Sequence, residues 1–153
     1  MNSEFPTREG DPHDLDRFIR AQAPDYERAL AEIGAGQKRS HWMWYVFPQW
    51  IGLGSSPMAE RYAIRSRAEA EAYLAHAILG RRLRECAAAL LGLEGRTALQ
   101  IFGSPDDLKL RSCATLFAAA SAPGSPFDRL LEKYFAGERD PVTVRLLGAA
   151  AQP

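Results

Sequence analysis

On a helix, positions 69, 73 and 76 fall along one edge, so Glu69, Tyr73 and His76 would present a carboxylate, a phenol and an imidazole side by side. Such a row can give and take protons. The same glutamate closes Ser66-Arg67-Ala68-Glu69, a capping-box pattern in which hydroxyl and carboxylate each satisfy a free backbone N–H at a helix start. Capping needs only local helix geometry, whereas acid–base work needs a cleft, and the two exclude each other only if the side chain folds fully back.

A second set lies in 37–56. Lys38, Arg39 and His41 stand before a run that holds all three tryptophans, Trp42, Trp44 and Trp50, and Gln49, Gly52, Gly54, Ser55 and Ser56 follow Pro48. Two cations and an imidazole can meet a phosphate or carboxylate. Large rings bury the most apolar area, so most of this cluster is expected in the core. Its flanks are costly to desolvate, so the stretch is expected to be half interior and half the mouth of a cleft. Ser40 would cap a short aromatic helix broken at Pro48. The glycines would let a ligand approach backbone N–H groups just ahead of a helix starting at Pro57, whose N-terminus favours an anion.

A third set is Asp106, Lys109 and Ser112, which recur every three residues on an otherwise apolar helix. A polar stripe there needs partners or solvent. The plainer alternative makes Asp106 a first-turn acid favoured by the helix dipole, with Lys109 exposed beside it. Asp140 ahead of Pro141 reads as a helix cap.

Much other chemistry lacks its residues. The three histidines, His13, His41 and His76, are far apart, with no HExxH, HxE or carboxylate pair at ligand spacing, so no metal and no cofactor is expected. There is no GxSxG, P-loop or GxGxxG fingerprint. Cys86 and Cys113 sit among Ala and Leu and read as small buried apolar residues. The 19 basic and 19 acidic side chains cancel, so no global field draws nucleic acid or an anionic membrane. No apolar run approaches a membrane span and the first residues carry no signal pattern, which makes the cytoplasm the expected compartment.

The elements that must position these groups read as helices. At 153 residues and 46% apolar composition, the chain can build one core. Residues 1–13 read as a loose leader, 14–148 as a single helical domain and 149–153 as a loose tail. Asp14 would cap a helix carrying Leu15, Phe18, Ile19 and Gln22 on one face. A second carries Tyr26, Ala29, Leu30 and Ile33 and stops at Gly34. Further helices are expected over 57–64, from Ser66 through Ala77, over 78–91, over 105–121 with Ser104 as cap, from Pro126 to about Gly137, and from Pro141 to about Leu147. Segment 97–102 is either one or two helical turns or a strand. The fold class is all-α, with about eight helices.

The residues Lys38-Arg39-Ser40-His41-Trp42-Met43-Trp44-Tyr45-Val46-Phe47-Pro48-Gln49, then Gly52-Leu53-Gly54-Ser55, Glu69-Ala70, Tyr73-Leu74, Phe102-Gly103, Asp106, Lys109-Leu110 and Thr115-Leu116-Phe117 resemble the bacterial "domain of unknown function 1810" family. That family is sometimes labelled calpastatin-like, which gives no ground to expect protease inhibition. The chain departs from the family pattern at Ala77 and at 112–114. A fainter similarity of order, an aromatic segment, a helix with Ser66-x-x-Glu69 and a late helix with Lys109, runs to NADAR-type N-glycosidases. That similarity implies a nucleotide or ADP-ribose-type ligand. Trp42 and the other tryptophans would stack a ring, Lys38, Arg39 and His41 would take phosphates, and Gln49, Gly54, Ser55, Tyr73, Asp106 and Lys109 would complete the site. It also implies N-glycosidic hydrolysis, with Glu69 and Trp44 central and Glu69 stabilising an oxocarbenium-like state or activating water. The alternative is a module that binds a ligand or a protein without turnover.

Overall fold

The structure, a computed structural model, describes residues 10–150, and its first helix is started by Asp11 rather than Asp14. A turn closed by Asp14 N–H on the Asp11 carbonyl at 3.1 Å folds the Asp11 carboxylate under the helix. There it accepts from the N–H groups of Leu15 and Asp16 at 2.7 and 3.0 Å. Residues 1–9 of the expected leader lie outside the described residues.

Among the described residues there are ten helices and no strand. They are α1 (Asp16–Gln22), α2 (Tyr26–Gly34), α3 (Met43–Val46), α4 (Pro57–Arg61), α5 (Arg67–Ala75), α6 (Leu79–Gly92), α7 (Ala98–Phe102), α8 (Asp106–Ala119), α9 (Pro126–Phe135) and α10 (Pro141–Ala150). The excess over eight comes from short pieces such as α3 and α7. For 97–102 the chain chooses helix because Thr97 and Gln100 form a reciprocal capping box, each side chain accepting from the other's backbone N–H. Helix α10 runs three residues past its expected end, so the expected tail begins inside a helix, and 151–153 lie outside the described residues.

Several starts follow their sequence signals. Ser56, Ser66 and Ser125 each accept from the N–H three residues on, and Asp140 accepts from Thr143 N–H at 2.9 Å. Two starts do not. Helix α3 begins at Met43 without a side-chain cap, because the Ser40 hydroxyl is taken by Glu32. Helix α8 begins at Asp106 rather than Pro105, with no cap from Ser104, and the Ser104–Pro105 peptide is cis. Helix α6 is started by a residue outside it: His76 Nδ1 accepts from Ile78 and Leu79 N–H at 3.1 and 3.3 Å. Gly80 lets α5 and α6 close on each other, since a Cβ there would lie 2.1 Å from the Leu74 carbonyl oxygen.

Helix α8 is the spine of the core. Leu110, Cys113, Ala114, Leu116 and Phe117 are all buried on it, against α5, α7, α9 and α10. A line of rings runs through the interior, Phe18 to Tyr73 at 5.1 Å, Tyr73 to Phe117 at 5.3 Å and Phe117 to Phe127 at 5.8 Å between centroids. Trp42, Phe47 and Phe102 form a second cluster. The loop after Pro48 is stapled to the segment before α5: Ile51 N–H donates to the Ile64 carbonyl at 3.0 Å, and Ile64 N–H to the Gln49 carbonyl at 2.9 Å. That staple fixes where residues 49–56 face.

Candidate functional site

The charged shoulder of the aromatic stretch is anchored by a residue with no signal of its own in the sequence. The Glu32 carboxylate, on α2, accepts from Arg39 N–H at 2.9 Å, Ser40 N–H at 3.1 Å, the Ser40 hydroxyl and the Trp42 indole N–H at 2.9 Å. Partial burial pushes its pKa up. The donors from Ser40, Arg39 and Trp42 outweigh that and bring it down from 4.5 to about 2. Trp42 is thereby fully buried, 0% exposed, and its ring packs on Phe47 and Phe102. It is a core residue and not the stacking platform expected of it.

The other tryptophan and shoulder positions separate. Trp44 is partly buried against Tyr45, with centroids 6.4 Å apart, and Trp50 is buried. His41 is exposed, and its carbonyl accepts from the Tyr45 hydroxyl at 3.3 Å. Arg39 is exposed and its guanidinium donates to Gln37 at 3.2 Å. Lys38 turns inward: its ammonium lies 3.0 Å from Asp106 and 5.1 Å from the Trp42 ring centroid, with 8% of its side chain exposed. Asp106 also meets Lys109 at 3.4 Å. Three expected residues from two distant stretches thus form one cluster, Lys38, Asp106 and Lys109.

Glu69 and Tyr73 lie in the interior instead. Glu69 is 2% exposed and its carboxylate is 2.7 Å from the Arg17 guanidinium, with Arg65 N–H donating to the other oxygen at 2.9 Å. The capping box is therefore half formed: Ser66 takes the Glu69 N–H, but the carboxylate reaches one residue further back than Ser66. Arg17 also donates to the carbonyls of His13, Asp14, Arg61 and Ala63, tying α1 to the turn before α5. Tyr73 is 0% exposed. Burial raises its hydroxyl pKa, and the hydroxyl accepts from the Gln22 amide at 3.1 Å. The row of Glu69, Tyr73 and His76 is split: the first two face the core, and His76 starts α6 at the partly exposed margin.

A cleft of about 460 Å³ opens between the loop after Pro48, the first turns of α8 and the start of α10. Gln49, Gly54, Ser55, Lys109, Ser112 and Asp140 give it its polar groups, and Leu53, Leu108 and Val142 its apolar wall. Gly54 is required for this shape, since a Cβ there would lie 2.7 Å from the Ala59 Cβ. Asp140 is committed to Thr143 and to Arg111, whose guanidinium is 3.5 Å away. Ser112 donates to the Leu108 carbonyl at 3.2 Å. Of the expected ligand-binding residues, Gln49, Gly54, Ser55 and Lys109 meet here, while Lys38, Arg39, His41, Trp42, Tyr73 and Asp106 do not line it, nor does Trp44. The expected helix N-terminus beside the loop is that of α4, five residues long and capped by Ser56.

Among the described residues no group of three or more His, Cys, Asp or Glu side chains is placed to hold a metal ion, and no helix is long and apolar enough to cross a membrane. Neither Glu32 nor Arg17 carries a local signal, because the partners of Glu32 lie seven to ten residues away and Glu69, the counter-charge of Arg17, lies 52 away.

Over residues 12–147 the chain matches the family described as protein of unknown function DUF1810. It is similar to the solved structure of the conserved hypothetical protein Rv1873 from Mycobacterium tuberculosis, at 54% identity and a TM-score of 0.89, covering 90% of this chain and 99% of that one. No curated protein matches it. The matched span contains the aromatic stretch, the loop that follows it and all of α8, and the chain belongs to the DUF1810 family.

Proposed function

We propose that the protein binds a small nucleotide-like molecule, of the nucleotide or ADP-ribose type, in the cleft between the 49–56 loop and α8, without turning it over. One observation carries the reading: Gln49, Gly54 and Ser55 from the loop and Lys109 from α8, more than fifty residues further on, line one concave site. Its volume of about 460 Å³ is within the range of small-molecule sites. The apolar wall of Leu53, Leu108 and Val142 suits a ring, and Lys109 suits an anionic group.

Hydrolysis of an N-glycosidic bond is the less supported version. It needs a carboxylate that reaches the sugar. Glu69 is engaged by Arg17, and Asp140, the carboxylate at the cleft, starts α10. Binding without turnover asks nothing further of either.

The test is a thermal-shift and calorimetric panel of AMP, ADP, ATP and ADP-ribose on the whole chain. Stabilisation by at least one, lost in Lys109→Ala and kept in Arg81→Ala, is the expected result. No response to any of them, or a response indifferent to Lys109→Ala, would remove the cleft as the site. ADP-ribose recovered intact after prolonged incubation separates binding from turnover.

A further inference from the structure

Lys109 is the cation that lines the cleft, yet a carboxylate sits 3.4 Å from it. Alone, Asp106 would cancel the charge that an anionic ligand needs. Its second oxygen, however, lies 3.0 Å from Lys38, which reaches it from the buried side. Lys38 is held there from several directions: its N–H donates to the Ile101 carbonyl at 2.7 Å, and its ammonium rests on the Trp42 ring, itself anchored by Glu32. It is not among the residues that line the cleft.

Two ammonium groups therefore share one carboxylate, which leaves one positive charge uncompensated. That surplus is displayed where water and ligands reach it, at Lys109, whose side chain is 30% exposed against 8% for Lys38. We propose that Lys38 is a positioning residue for anion recognition: by neutralising Asp106 from the interior it leaves Lys109 charged toward the cleft, and so selects a phosphorylated ligand over its neutral counterpart. This rests on the cleft reading above and names the chemical class that the cleft prefers.

The experiment titrates wild type, Lys38→Met, Lys38→Met/Asp106→Asn and Lys109→Ala with ADP-ribose and with adenosine, which lacks phosphate. Melting temperatures confirm folding, and Lys38→Gln replaces Lys38→Met if the latter does not fold. With Lys38 gone, Asp106 neutralises Lys109, and ADP-ribose affinity falls roughly fivefold, the size expected for one charge acting across about 4 Å at the dielectric of bulk water. Adenosine affinity does not change. Removing the carboxylate as well restores the charge on Lys109, so the double variant recovers ADP-ribose affinity to within about twofold of wild type. The differences shrink between about 0.1 M and about 1 M salt, as the Debye length drops from ~10 to ~3 Å.

A purely structural role for Lys38 predicts the opposite order, with the double variant binding no better than the single. That order would overturn the proposal, as would unchanged ADP-ribose affinity in Lys38→Met. If binding depends on Lys109 but not on Lys38, this inference fails and the cleft reading stands. If wild type binds another nucleotide of the panel but not ADP-ribose, that nucleotide takes its place in the titration; if it binds none of them, both fall.

Discussion

Arg17 and Glu69 meet at 2.7 Å in the interior, with 9% and 3% of their side chains exposed, and they join the first helix to the start of α5. Taking one partner from a buried pair strands the other charge, which costs far more than the pair contributes. Glu69→Ala is therefore expected to lower unfolding free energy by about 3 kcal/mol or more, and Glu69→Gln by less. Urea denaturation checks this. Ligand affinity of the folded fraction should not change, because Glu69 is not among the residues lining the cleft. A Glu69→Gln variant as stable as wild type but defective in binding would return Glu69 to the site.

The Glu32 carboxylate gives a pH signature with a definite sign. Its pKa falls from 4.5 to about 2 on folding, so the folded state holds the ionised form more tightly than the unfolded chain does. Its contribution is complete above pH 4.5 and is lost as pH drops toward about 2. Glu32→Gln should flatten the loss of stability in that window, while lowering stability at neutral pH by about 1 to 3 kcal/mol through weakened hydrogen bonds to Arg39, Ser40 and Trp42. Denaturant midpoints measured from pH 2 to 7 on both proteins decide it.

The tryptophans differ in access. Trp42 and Trp50 are 0% and 5% exposed, whereas Trp44 is only partly buried. Acrylamide should quench a minor fraction of native fluorescence, and Trp44→Phe should abolish that fraction. Quenching that survives the substitution would mean that the aromatic stretch opens in solution.

Both thiols are expected to be inert in the native state. Burial pushes Cys86 up to about 12 and Cys113 well above its ordinary value, so neither supplies thiolate near neutral pH. Labelling with a thiol reagent at pH 8 should proceed only as fast as the chain unfolds, and should become fast and complete in denaturant. Rapid labelling of either cysteine under native conditions would contradict this.

Local signals marked most helix starts correctly, because a serine or aspartate that satisfies its own backbone three residues on needs nothing from elsewhere: Ser56, Ser66, Ser125 and Asp140 all do so. Where such a residue had a stronger distant partner, the local reading failed. Ser40 went to Glu32 instead of capping α3, and the Glu69 carboxylate went to Arg17 instead of completing its box.

Periodicity and composition therefore determined the all-helical class, the apolar faces and most element boundaries, since these depend on residues within a turn or two of each other. The aromatic stretch was expected to be half core and half mouth; the core half is seen in Trp42 and Trp50, whereas at the cleft Gln49 and the loop after it are not joined by Lys38 or His41. What only tertiary packing decided is which side chains became interior and which reached the cleft. Lys38 and Asp106 are far apart in the chain, as are Gly54 and Lys109, and burial of a charge depends on whether a counter-charge arrives from another element. That arrival is a property of the packed helices, and no spacing within one helix encodes it.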